Sequence, residues 1–253
     1  IYIAGSDMNS SASLKKIRAE LYKAHSYIEA DDTSCLQLET NSGINIYFYV
    51  THAPEELRHP YIEIIGEKGK IIWNMENEET VIKLKKNSEN NIYFYINHKK
   101  KKIKQKKKKK KKKKGKIIWN MENEETVIEL NSEKVLKFDN NNIDPYKEEF
   151  RVVAKKQLGQ IDDLYCSPEN TRNFVVAING AYDSAQKIKA VPQNLVEEFS
   201  NEDGEYQTVL TGIDNLIDRA FRERKLLSDL NIDWAVKTDW VNVENYISFN
   251  PFS

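Results

Sequence analysis

Apolar and polar residues alternate through the first part of this chain with the period of two that a β-strand imposes. Residues 17–23 (IRAELYK) and 33–40 (TSCLQLET) show it, and Asn41-Ser42-Gly43 then marks a turn before the clearest strand, 44–52. In that strand Ile44, Ile46, Phe48 and Val50 point one way, and Asn45, Tyr47, Tyr49 and Thr51 the other. Residues 61–65, 70–73 and 80–84 continue the pattern, with Glu67-Lys68-Gly69-Lys70 as a tight connection. Strands joined by turns this short predict an antiparallel meander with one packed face.

The later part changes period. Asp144-Pro145 opens a helix through residue 158, with Asp144 as N-cap, Pro145 in the first turn, and Phe150, Val153 and Ala154 on one stripe. Ser167-Pro168-Glu169 opens a second, in which Phe174, Ala177, Ile178, Ala181, Tyr182, Ala185 and Ile188 recur at helical spacing. A third covers 213–227, with Ile213, Leu216, Ile217, Ala220 and Phe221 inward and Arg219, Arg222, Arg224 and Lys225 outward. Strands followed by helices predict an α+β fold with helices covering one sheet face. The other face, rich in tyrosine, is left to meet solvent, a partner or a ligand.

One block breaks the order. Residues 68–82 read KGKIIWNMENEETVI, and residues 114–128 repeat the same fifteen letters. Carrying that offset backwards, the later copy differs in one direction: Glu39, Thr40 and Arg58 face Lys85, Lys86 and Lys104, Gly43 faces Glu89, Thr51 faces Asn97, and His59 faces Gln105. Each change replaces codon bases with adenine, and the lysine run at 106–114 is the limit of that process. Selection for a basic peptide would not preserve IYFY at 92–95 and the block after it. The pattern is that of a duplicated segment, 83–128, with poly-lysine over 99–114, corrupted most simply by a sequencing or assembly fault. A single domain over 1–253, interrupted by that segment, is the expected organisation.

Charge looks different once the run is set aside. The 39 basic and 39 acidic residues balance; without the lysines of 99–102, 104 and 106–114 the acidic residues are in clear excess. An acidic body argues against nucleic acid as its natural partner. Taken literally, the lysine run is an extended, solvated coil that binds polyanions non-specifically through counterion release. Cys35 and Cys166 stand far apart with no CxxC, so neither a disulfide framework nor a zinc site is indicated, and buried free thiols are expected. No apolar run reaches the ~20 residues that span a bilayer, and a soluble, cytoplasmic protein is expected. Opening on IYIAG without methionine, the chain reads as the back part of something longer.

There is no GxGxxG, Walker-type loop, HExxH or GxSxG. The histidines are His25, His52, His59 and His98, the last a duplicate of His52. His52 closes the strongest strand within Thr51-His52-Ala53-Pro54-Glu55-Glu56, where an imidazole orients a ligand hydroxyl or moves a proton; the bland alternative is a half-exposed histidine at a sheet edge. Glu55-Glu56 reads as a solvated acidic pair rather than a carboxylate dyad. Tyr47 and Tyr49 suit a sugar ring or, better, a subunit interface.

The ordered segments IRAELYKAH (17–25), IEADDTSCLQLET (28–40), NSGINIYFYVTHAPEEL (41–57), YIEIIGEKGKIIW (61–73) and NFVVAINGAYDSAQKI (173–188) resemble the C-terminal domain of the Gfo/Idh/MocA oxidoreductases, which include glucose-fructose oxidoreductase and inositol dehydrogenase. The resemblance implies a large, mostly antiparallel sheet with helices on one side, used for homo-oligomer contacts. It also implies a parent enzyme that uses NAD or NADP to oxidise a sugar, cyclitol or related polyol. The family's Rossmann domain, its Glu-Lys-Pro motif with the catalytic lysine, and the Asp and His motif that follows have no counterpart here. No catalytic or cofactor-binding residue is carried over, and no metal is expected. Only Thr51 and His52 correspond to a segment that approaches the substrate pocket. From another class, the runner-up is a non-catalytic, self-associating protein that binds polyanions or nucleic acid through its lysine run.

Overall fold

Turns and caps place the elements much as their chemistry demands. In the computed structural model, residues 1–6, 10–67, 69–74, 79–84, 94–95, 116–120, 125–129, 135–139, 144–164, 166–200 and 206–249 are described. The lysine run and His98 lie outside them. The chain divides into two compact units, one of residues 1–56 with 151–253 and one of 57–150.

The first unit begins with β1 (Leu14–Lys23), β2 (Thr33–Thr40) and β3 (Asn45–Thr51), an antiparallel meander. Gly43 takes the left-handed conformation at φ 83° that the β2–β3 turn requires, and the turn is closed by its N–H on Thr40 C=O at 2.9 Å.

The second unit is a seven-stranded sheet, built from β4 (Tyr61–Ile65), β5 (Gly69–Asn74), β6 (Glu79–Leu84), β7 (Phe94–Tyr95), β8 (Lys116–Asn120), β9 (Glu125–Glu129) and β10 (Val135–Asp139) in sequential spatial order. Both copies of the repeated block form the same hairpin: Ile71 pairs with Ile82 as Ile117 pairs with Ile128. The two hairpins stand in different places in the sheet, β5–β6 next to β4 and β8–β9 next to β10, with β7 between them.

The helix α1 (Pro145–Gln157) follows, with Asp144 Oδ1 accepting from the Tyr146 and Lys147 N–H groups at 3.0 and 3.2 Å as an N-cap should. In the first unit α2 (Pro168–Ala185) is capped by Ser167, whose Oγ accepts from Asn170 N–H at 3.2 Å. Short pieces come next: β11 (Lys189–Ala190), the hairpin of β12 (Val196–Ser200) and β13 (Tyr206–Leu210), α3 (Ile213–Glu223) and β14 (Val241–Asn242). Strands β11 and β14 both pair with β1, the former parallel, so the first sheet is mixed but mostly antiparallel. The α+β class predicted from the periodicities is what is observed.

Strand alternation gives the first sheet two faces. Ile17, Ala19 and Leu38 on one face form a core with Val176, Ala177 and Ala181 of α2. The inward stripe of α2 is therefore not led by Phe174 and Ile178, which are exposed. Gly180 explains this: a Cβ there would stand 2.7 Å from Ile17 Cγ2 and 3.0 Å from Val243 Cγ1, so the helix lies too close to β1 for large side chains. Fully burying a side chain such as Ile17 contributes about 2–3 kcal/mol.

On the opposite face Tyr22, Cys35 and Tyr49 pack with Ile213, Ala220, Leu226, Leu227 and Leu230. The tyrosine-bearing face, expected to lie open, is covered at Tyr49, whose hydroxyl donates to the C=O groups of Ala220 and Lys225. Arg224 ends α3 in the left-handed region at φ 52°, earlier than the predicted residue 227, and this lets Leu226 and Leu227 turn in to complete burial. Among the described residues no helix is long and apolar enough to cross a membrane.

Candidate functional site

Strand β1 ends where β2 begins and β3 ends, so one edge of the first sheet gathers the loop over 24–32, Thr33, Thr51 and His52. Asp32 organises this edge. Its N–H donates to Tyr22 C=O at 3.0 Å, and its C=O accepts from His52 N–H at 2.8 Å. Its carboxylate is buried and takes four donors: Oδ2 accepts from Ala24 N–H at 2.7 Å, His25 N–H at 2.8 Å and His25 Nδ1 at 2.8 Å, and Oδ1 from the Thr33 hydroxyl at 3.0 Å. A buried carboxylate needs this number of donors, since an unpaired one would be driven back to water or neutralised.

The predicted pair Thr51 and His52 stand side by side here with different states. Thr51 Oγ1 lies 2.8 Å from Thr33 Oγ1 and accepts from Ala53 N–H at 3.1 Å. Because the Thr33 proton goes to Asp32, Thr51 donates to Thr33, and its hydroxyl is consumed by the fold. The His52 backbone is fixed by Asp32, whereas its side chain is exposed and its imidazole has no partner among the described residues.

Other candidates are settled by burial. Glu55 and Glu56 are exposed, with the Glu56 N–H held by Asp214 Oδ2 at 2.9 Å. Tyr47 accepts from Gln37 Nε2 at 2.9 Å, at the end of a chain that runs from Arg18 through Gln37. Cys35 is buried and its thiol is pushed up by desolvation, but Cys166, expected to be buried, is exposed in the loop before α2. His59 is exposed in the second unit.

His25 and Asp32 were not singled out in the sequence. The signal available was their placement between predicted strands, because a hairpin loop brings both to the same sheet edge.

A cavity of ≈ 10 Å³ lies elsewhere on β1, lined by Glu20, Tyr22, Lys187 and Thr238 among others. It is water-sized and too small for a sugar. Thr238 Oγ1 is buried without a hydrogen-bond partner among the described residues.

The described residues hold no group of three or more His, Cys, Asp and Glu able to bind a metal ion. Nor do they fit a dinucleotide. A pyrophosphate is held at a helix N-terminus by backbone N–H groups, yet the first turns of α1, α2 and α3 carry Glu148, Glu169 and Asp214. Those carboxylates oppose a second anion.

No family model matches the chain, and no curated protein matches it. Among solved structures, an NAD binding oxidoreductase from Klebsiella pneumoniae aligns at 12% identity and TM-score 0.29 over 34% of this chain and 26% of its own. A levoglucosan dehydrogenase in complex with NADH and levoglucosan aligns at 12% identity and TM-score 0.29 over 91% of this chain and 45% of its own. This chain thus spans less than half the length of either. The distant neighbours are NAD-binding oxidoreductases, at a score below that of a shared fold.

Proposed function

We propose that this chain forms the substrate-side domain of an NAD(P)-dependent sugar or polyol dehydrogenase of the Gfo/Idh/MocA type, the cofactor being bound by a separate dinucleotide-binding domain. Support for the family comes from the five ordered segments that carry the sequence resemblance. The observation that carries the reading to a site is His52, an exposed imidazole without a partner among the described residues, whose backbone is fixed to Asp32. A neutral imidazole in that state gives or takes one hydrogen bond, which suits a ligand hydroxyl. Thr51 contributes as a positioning residue, since its bonds to Thr33 and Ala53 fix the turn that presents His52.

Titration of the isotope-labelled protein with D-glucose, xylitol and heparin tests this by NMR. Saturable movement of the His52 imidazole with either polyol, abolished in His52→Ala, is the expected result. Movement with heparin alone, or a polyol response unchanged in His52→Ala, overturns the reading.

A further inference from the structure

His25 presents an arrangement that the family resemblance does not supply. Its Nδ1 lies 2.8 Å from Asp32 Oδ2, and the Asp32 side chain is 1% exposed. A carboxylate only accepts, so in the neutral ring Nδ1 carries the proton and Nε2 the lone pair. Asp32 cannot turn away, because Ala24, His25 and Thr33 also donate to it. His25 Nε2 makes no hydrogen bond among the described residues. The His25 side chain is largely buried, at 10% exposed. One nitrogen is therefore locked to Asp32 while the other keeps its lone pair without a partner among the described residues.

The surroundings select what that nitrogen accepts. Tyr27 stands edge-to-face with the imidazole, centroids 5.3 Å apart at 87°, and its ring is 69% exposed. The Ser26 hydroxyl donates to Glu198 Oε1 at 3.3 Å, adding a second acceptor. Asp31, bonded to the hydroxyls of Tyr182 and Ser34, adds further negative charge to the same loop. Phosphate or carboxylate ligands would be repelled by these acids. Asp32 spends its acceptor capacity on its four donors, so what the neutral His25 ring offers is the Nε2 lone pair, which asks for one O–H.

We propose that His25 is a hydroxyl-accepting residue for a neutral polyhydroxy ligand, with its Nε2 receiving one ligand O–H and Tyr27 offering an apolar ring to the ligand's C–H face. Asp32 acts through His25 and is a positioning residue. The proposal rests on the polyol reading given above and extends it beyond His52.

A long-range proton–nitrogen correlation spectrum reads which His25 nitrogen is protonated, and titration with D-glucose and xylitol reads contact. The expected results are a proton on Nδ1, an Nε2 resonance that moves saturably with polyol, and roughly tenfold weaker binding in His25→Phe, as loss of one hydrogen bond gives. Asp32→Asn should redistribute the proton between the two nitrogens, an effect that a merely structural role for Asp32 would not produce. A proton found on Nε2, or a polyol that moves His52 and leaves His25 still, overturns this inference and leaves the polyol reading standing. A polyol that moves neither overturns both. Should His25→Phe fail to fold, the two wild-type measurements decide alone.

Discussion

On one face of the β1–β2–β3 sheet α2 is held mainly by apolar contact and close approach, through Ile17, Val176, Ala177 and Gly180, with the buried Ser184 hydroxyl accepting from Ala19 N–H at 3.0 Å as a polar tie. On the other, α3 and the segment after it are held by polar pins set into an apolar layer. Glu20, 1% exposed, accepts from the Ser228 hydroxyl at 2.6 Å, the Ser228 N–H at 3.2 Å and the Tyr22 hydroxyl at 2.8 Å. Tyr22 in turn accepts from Val236 N–H at 3.1 Å, and Arg18 reaches Asp229. Apolar contact is non-directional and tolerates sliding, whereas a buried carboxylate with several donors specifies one register for the chain laid over it. The segment over 224–240 has little regular structure of its own, and the pins supply the order that a helix would supply elsewhere.

Breaking the polar face should have the largest effect. Glu20→Ala strands the Ser228 and Tyr22 donors in a buried site and leaves a cavity, at a cost of about 3 kcal/mol. Urea unfolding checks this. A loss below about 1 kcal/mol would mean that water replaces the carboxylate and the pins carry little weight.

Breaking the apolar face should cost less. Gly180→Ala gains about 1 kcal/mol of helix propensity but drives a methyl against Ile17 Cγ2 and Val243 Cγ1. Overpacking of that kind costs about 1–3 kcal/mol, so a net loss of about 1 kcal/mol is expected in the same unfolding measurement. A stabilised Gly180→Ala would show that α2 rides higher on β1 than the glycine implies.

The two faces were also unequally legible. Caps and turns are local chemistry, and Asp144, Ser167 and Gly43 behave as their residue types predict. Strand β2 and strand β4 have the predicted bounds, because alternation over five or more residues states its own period. The existence of α2 was legible and its buried side only in part: Ala177, Ala181 and Ala185 of the expected stripe are buried, whereas Phe174 and Ile178, which hydrophobicity favours, are exposed because Gly180 brings the helix close to β1. That distance is a tertiary quantity. Strands β11 and β14, two residues each, are too short to show any period. On the polar face Glu20 sits inside an alternating strand where it reads as a solvent-facing residue, and its partner Ser228 is far along the chain. At the candidate site the same limit applies: Thr51 and His52 were found as a strand end, whereas the coupling of His25 to Asp32 depends on how the loop over 24–32 closes.

The smallest effect separates the polar pins from surface pairing by the sign of a pH dependence. Burial raises the Glu20 carboxyl above the ordinary glutamate value of 4.5, with Asp229 adding in the same direction, while the Ser228 and Tyr22 hydrogen bonds oppose it. Surface Glu39 is shifted the other way, held low first by Lys16 and also by Lys15. Between the ordinary and the raised value, folded Glu20 keeps a proton that the unfolded chain has released. Its contribution to stability is therefore fully present below the ordinary value and is lost as pH rises through the raised one. For Glu39 the contribution is present above the ordinary value and lost as pH falls. Glu20→Gln removes the first and leaves the second, so the stability difference between wild type and variant isolates Glu20. That difference should move against the wild type as pH rises above 4.5, with a slope below the ~1.4 kcal/mol per pH unit that one proton allows. Urea unfolding at a series of pH values reads it. Parallel curves would mean that the donors around Glu20 cancel its burial, and a difference moving in favour of the wild type would make Glu20 an anchor of the same electrostatic kind as Glu39.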